Sequence, residues 1–440
     1  MIVCPAARIT PAVAAERLAT AAGAVWLKSP ASAIGAEAVA FLACAPVQTV
    51  CTDDLNQLEQ AWTEHRKRWA GTSARCPIAI GFLSYDLGKN LVGGNHAPQV
   101  ASGWPQIDFR FFDAVLAVGS GGEARIFAVD EAAANRLTDR LTPSAPEPLP
   151  NELTAHLAPV EADGVFLNGV GRIRDYLTAG DCYQVNLARQ LTAPLHPEGL
   201  RTGLSLALQL QTDAPAPFGL WYGPIDTQSH GGARALVGNS PECFLRVAVD
   251  GMIETSPIKG TRQRTQSQDP LTDPAAQLLV NSEKDRAEHD MIVDLERNDL
   301  GRLCATGSVQ VLEHARLMHL PTLHHLVSTV RGRLRSPRPS LTEILAATFP
   351  GGSITGAPKR RAMEVICELE TSERGPYTGA TGWLGAAGDI ELAVAIRTAA
   401  IADGKLVLWV GGGIVTDSDP TAELDETNTK AQAFSRLWRG

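Results

Sequence analysis

No stretch of this chain reaches the roughly 18 consecutive apolar residues that a membrane-spanning helix needs, so no membrane partner is expected. The opening residues, MIVCPAARITP, lack a basic stretch followed by an apolar one, and no secretory signal is expected. There is no C-x-x-C pair: the cysteines stand apart at 4, 44, 51, 76, 182, 243, 304 and 367. That scatter suits reduced thiols in a cytoplasmic protein. Positive charge is also short. With 39 Lys+Arg against 48 Asp+Glu, the net charge of −9 gives no electrostatic reason to expect nucleic acid or an anionic membrane as partner. A locally basic site for a small anion remains compatible with it. No internal repeat and no low-complexity tract is found.

What is present is an ordinary globular composition, 440 residues with 44% hydrophobic and 20% charged. The length allows two or three domains or one large α/β body. Residues 141–160, rich in proline and polar residues, read as a linker or a long surface crossing. Residues 227–234 and 335–340 read as loops. Before the linker the texture suits mixed short strands and helices, for example the apolar runs at 38–42 and 78–82, and no chemical constellation stands out. After it, residues 185–187, 244–249 and 406–410 read as strands. A helix is expected over 283–298, with Ala287, Met291 and Leu295 spaced by four. Another is expected over 358–369, with Ala362, Val365, Ile366 and Leu369 on one face, and a third over 420–434.

Lys259, in Ser256-Pro257-Ile258-Lys259-Gly260-Thr261, is held between a proline turn and a glycine and reads as a positioned amine. Asp285 and Glu288 are three apart on one expected helix, and Glu423 and Glu426 repeat that spacing on another. Such pairs, taken alone, also suit solvated faces. Facing each other, they would need a cation, and hard oxygen donors suit Mg²⁺. A di-iron bundle would need Glu-x-x-His, whereas Glu288 and His289 are adjacent. The glycine-rich run at 351–356 leads toward a helix, where free N–H groups favour an anion. It is no nucleotide loop, because Lys359 does not directly follow the second glycine. Gly411, Gly412 and Gly413 offer close backbone approach. Arg397, in an apolar run, needs a carboxylate partner, from the protein or from a substrate.

GDCYQVNLARQ (180–190), NSPECFL (239–245), SPIKGTRQR (256–264), EKDRAEHDMIVDLERNDLG (283–301), FPGGSITGAPKRRAMEVICELE (349–370) and GGGIVTDSDPTAELDETNTKA (411–431) together resemble the chorismate-utilising enzymes. The resemblance divides the chain into 1–150, similar to the N-terminal region of anthranilate synthase component I, and a chorismate-binding catalytic domain over 160–437. It implies an α+β fold, with packed antiparallel sheets, surrounding helices and a central active-site cleft.

Members that add water to chorismate carry a lysine where this chain has Gln184. Lys259 stands where the branch that makes 4-amino-4-deoxychorismate carries lysine and the anthranilate branch carries alanine. The resemblance therefore implies the aminodeoxychorismate branch, on the route to folate. The alternatives are anthranilate formation, or a silent subunit that only activates an amidotransferase. By the same resemblance, Lys259 attacks the ring and Glu242 protonates the leaving hydroxyl. Mg²⁺ is held by Glu288 and Glu426 with Asp285 and Glu423 beside them. Tyr377, Arg397, Gly411 and Gly413 hold substrate carboxylates. Ser353 and Thr355 lie in the cradle, His325 lies near the ring, and Gln184 belongs to the substrate-binding set. Ammonia would come from a separate glutamine amidotransferase in a heterodimer, since this chain has no Gly-x-Cys-x-Gly turn followed by a His–Glu pair. Some relatives bind tryptophan near the positions of Val25 to Ser29, but this chain departs from their pattern there.

Overall fold

The computed structural model describes residues 1–30, 38–70, 75–119, 121–142, 156–195, 199–225, 234–265, 272–320 and 323–436. Most of the expected linker and of the 227–234 loop lie outside these residues, whereas 335–340 is irregular as expected.

Two large sheets pack face to face. The first is 12-stranded and runs from Ile2–Ala6 at one edge through Val25–Lys28, Phe218–Ile225, Arg234–Ser240, Thr398–Ala402, Lys405–Ile414 and Gln184–Pro194 to Gly356–Ala357. The second is 10-stranded and includes Ile258–Gln263, Leu323–Arg333, Met252–Ser256, Cys243–Val247, Ile390–Val394, Ala380–Gly385 and Pro77–Leu83. Pairings between neighbouring strands are antiparallel, for example Gln184–Pro194 with Lys405–Ile414 and Cys243–Val247 with Ile390–Val394. Both sheets take strands from either side of residue 150, so the two stretches share their sheets and their core.

Burial explains the strand sequences. Cys243–Val247 and Pro77–Leu83 are buried at every position, so their side chains are apolar on both faces or, like Arg246, paired. The inner core joins Val25, Leu27 and Phe41 of the first sheet to Ile80, Phe82, Phe109 and Trp383 of the second. Burying such aliphatic and aromatic side chains contributes about 1.5–3 kcal/mol each. The outer face of the first sheet is covered by the helices Pro11–Leu18, Glu131–Leu141, Gly199–Asp213 and Pro420–Ser435.

Three expectations are refined. The helix at Glu283–Gly301 buries His289, Ile292, Val293, Glu296, Asp299 and Leu300. Ala287 is exposed, and Met291 and Leu295 are only half-buried. The face that packs is the one carrying His289, whose Nε2 lies 2.5 Å from Ser328 Oγ on the strand Leu323–Arg333. The offset arises because a second side of the helix, with Lys284, Asp285 and Glu288, lines a cavity. The second refinement concerns residues 351–356, which form a short 3₁₀ turn, Gly352–Ile354, and then the strand Gly356–Ala357. The helix itself starts only at Lys359. Third, Gly411, Gly412 and Gly413 lie within the strand Lys405–Ile414 rather than beyond it.

Candidate active site

The cavity opens where the chain crosses between the sheets. Glu242 lies between Arg234–Ser240 of the first sheet and Cys243–Val247 of the second. Arg397 lies between Ile390–Val394 of the second and Thr398–Ala402 of the first. Its φ of 48° is left-handed, a conformation that costs a non-glycine residue about 1–3 kcal/mol. The enclosed space is about 200 Å³. Lys259, Glu242, Ser353, His325, Tyr377, Arg397, Gly411, Gly413, Asp285, Glu288, Glu423 and Glu426 all face it.

On the floor, Lys259 is carried by Ile258–Gln263, whose pairing slips at Gly260. That irregularity, with Gly260 at φ 67°, re-aims the lysine. Lys259 Nζ donates to the Ser353 carbonyl at 3.0 Å, and Ser353 Oγ donates to Glu242 Oε1 at 2.5 Å. Burial pushes the Glu242 carboxyl up to about 7, against the opposing pull of Ser353 and Lys259. Burial also lowers the Lys259 amine, against Glu288 and Glu242, which favour its charged form. Glu242 can therefore hold its proton near neutral pH, while burial moves Lys259 toward its neutral form.

Arg397 Nη2 lies 3.0 Å from His325 Nε2, and His325 Nδ1 is 3.3 Å from the Gly260 carbonyl. The guanidinium must donate, and the carbonyl must accept, so His325 is neutral with its proton on Nδ1. Burial, and then Arg397, push its pKa down to about 3. Burial lowers Arg397 to about 10. Tyr377 stacks on Trp409 with centroids 5.8 Å apart. Behind it, buried Arg374 donates to the Asn186 carbonyl at 2.8 Å, the Ile354 carbonyl at 3.2 Å and Thr378 Oγ1 at 3.1 Å. One guanidinium thus joins the strand, the turn and the Tyr377 segment.

At the mouth, each carboxylate has a basic neighbour. Asp285 pairs with Arg262 at 2.9 Å, and Glu426 with Lys430 at 2.6 Å. Lys284 lies 3.9 Å from both Glu288 and Glu423. Burial raises Glu288 and Glu423, whereas Lys430 holds Glu426 down. A Cβ on Gly412 would stand 3.3 Å from Glu423 Oε2 and 3.5 Å from Glu426 Oε1. These two carboxylates look onto one small space that Lys430 Nζ also approaches, at 3.7 Å from the same point; their oxygens are the kind of donor that suits a hard divalent cation. Among the described residues, no three acidic, histidine or cysteine side chains already converge as a metal cage. The amines of Lys284 and Lys430 supply the positive charge beside these carboxylates.

Gln184 and Thr355 do not line the cavity. Gln184 is buried behind Gly413, where a Cβ would come 2.5 Å from its Nε2. Thr355 donates its hydroxyl to the Gly351 carbonyl at 2.9 Å and shapes the turn from within. The turn also differs from an open anion cradle: the Gly352 N–H is taken by Glu296 Oε1 at 2.9 Å, and Ser353 offers Lys259 a carbonyl. Residues that sequence reasoning missed include Asn186, Lys284, Lys430 and Trp409. Lys430 had a signal, its four-residue spacing from Glu426.

Residues 22–436 match the family described as chorismate binding enzyme. The chain is 42% identical to anthranilate synthase component 1 of Streptomyces coelicolor over 61% of its own length and 50% of that relative's, so this match spans about half of the relative. It is 38% identical to aminodeoxychorismate synthase component 1 of Klebsiella aerogenes, over 80% of this chain and 75% of that one. The crystal structure of anthranilate synthase component I from Streptococcus pneumoniae TIGR4 shares the fold, with a TM-score of 0.74, 28% identity, and coverage of 92% of this chain and 93% of that one.

Proposed function

The chain belongs to the chorismate binding enzyme family, and from that premise we propose that it converts chorismate and ammonia to 4-amino-4-deoxychorismate. A separate glutamine amidotransferase would supply the ammonia. The observation that carries this reading is the Lys259 amine inside the cavity, joined through Ser353 to Glu242.

Glu242 gives its proton to the hydroxyl on carbon 4 of the ring. Lys259 attacks carbon 2 as a neutral amine; the ring double bonds shift, the bond from carbon 4 to oxygen breaks, and water leaves. Ammonia then attacks carbon 4, the double bonds shift back, and the bond from carbon 2 to Lys259 breaks. The new ammonium passes a proton to the Glu242 carboxylate, which restores the acid. Arg397 and Tyr377 hold substrate carboxylates, and His325 orients Arg397 through its unprotonated Nε2. Glu288 and Glu426, with Asp285 and Glu423 beside them, would hold Mg²⁺, which when bound supplies Lewis-acid polarisation and charge neutralisation at a substrate carboxylate.

Chorismate and Mg²⁺ without ammonia should leave an adduct on Lys259, read by mass spectrometry of its peptides. Lys259→Ala should remove the adduct and slow amination. No adduct in the wild type, together with unchanged amination kinetics in Lys259→Ala, would remove the covalent role. A second reading, anthranilate formation, is favoured by the 42% identity to a relative of that name. Anthranilate as the main product from chorismate, Mg²⁺ and ammonium would replace the first reading.

A further inference from the structure

Of the basic side chains at the mouth, Lys284 is held differently from the others. Lys430 is anchored by Glu426 at 2.6 Å and by the Gly411 carbonyl at 2.8 Å. Lys284 instead stands 3.9 Å from Glu288 on its own helix and 3.9 Å from Glu423 on the Pro420–Ser435 helix. Both distances lie beyond hydrogen-bond reach. Its side chain is 46% exposed, so solvent lies beside it. We propose that Lys284 is a built-in counter-ion that bridges the two acid helices in place of the divalent cation and swings out to solvent when the cation binds. This rests on the metal role given above to Glu288 and Glu426.

The charges support it. Glu288 and Glu423 are carried on different helices and both face this ammonium, with Lys259 also facing Glu288 and Lys430 also facing Glu423. Its field also reaches Glu426. A divalent ion entering among them meets a like charge beside Glu288 and Glu423. Removing that charge leaves the carboxylates under-compensated and makes the site more attractive to a cation.

The test is calorimetric titration of Mg²⁺ into the full chain, without chorismate. Lys284→Gln should bind Mg²⁺ about tenfold tighter than the wild type, from the Coulomb energy of one nearby charge. Lys284→Met should do the same, and Lys284→Arg should stay close to the wild type. Without Mg²⁺ the neutral variants should melt at a lower temperature than the wild type, and Mg²⁺ should close that gap. Equal or weaker Mg²⁺ binding in both neutral variants would overturn the proposal. If Glu426→Gln loses Mg²⁺ binding in the same series, the metal reading survives that failure. If the wild type and all variants bind no Mg²⁺, both fall.

Discussion

On the floor of the cavity, Lys259 on a strand, Ser353 in a 3₁₀ turn and Glu242 at a sheet crossover are joined by hydrogen bonds of 3.0 and 2.5 Å. At the mouth, four carboxylates sit on two helices, and Lys284 reaches two of them only at 3.9 Å. The floor uses burial to shift protonation, moving Glu242 up to about 7 and the Lys259 amine down. At the mouth burial also raises Glu288 and Glu423, and only Glu426 is held down, by the paired charge of Lys430. Burial prepares groups to exchange protons, while paired acids prepare a place for a cation.

The largest expected effect breaks the mouth. Glu288→Gln or Glu426→Gln should lower Mg²⁺-dependent turnover on the order of a thousandfold, because losing a charged ligand removes several kcal/mol of transition-state stabilisation. The circular dichroism spectrum should not change. Near-normal turnover at saturating Mg²⁺ in either variant would take that residue out of the metal's surroundings.

A smaller effect should come from crowding the floor at Gly413. A Cβ at Gly413 would come 2.5 Å from Gln184 Nε2 and 3.2 Å from Lys259 Nζ. Gly413→Ala should displace the amine and slow adduct formation about tenfold or more, since a misplacement of about 1 Å can cost on the order of a hundredfold. Rapid-quench mass spectrometry of the adduct measures it. An unchanged rate would show that the lysine position tolerates the methyl group.

The same contrast explains what the sequence made legible. The acid pairs could be read because helical spacing is local: residues three apart share a face whatever surrounds them. Lys259 could be read as a positioned amine from its Pro and Gly neighbours, but its bond to the Ser353 carbonyl joins distant segments. Arg374 had one local signal, its four-residue spacing from Glu370, but its bonds to the Asn186 and Ile354 carbonyls join segments that meet only in the folded chain. The 351–356 run suggested an anion cradle, because glycine spacing says nothing about the buried Glu296 that takes the Gly352 N–H. The sharing of both sheets across residue 150 is likewise set by long-range pairing.

The smallest expected effect is on stability, and it separates burial from pairing. Glu242 is 4% exposed, and its folded pKa of about 7 stands above its ordinary 4.5. The folded state therefore holds the proton more tightly than the unfolded chain. This contribution is fully present below about 4.5 and is lost as pH rises through about 7. A glutamine at this position would not titrate and would keep an oxygen to accept from Ser353. Glu242→Gln should thus gain stability relative to the wild type as pH rises from about 5 to about 8, by about 2 kcal/mol. Urea unfolding of both proteins at intervals across that range measures the difference. Glu426→Gln, whose wild-type carboxyl is held down by Lys430, should show the opposite trend at low pH, because its paired charge is lost as pH falls. A flat Glu242→Gln difference across this range would mean that the floor does not hold Glu242 protonated, and the general-acid role would lose its physical basis.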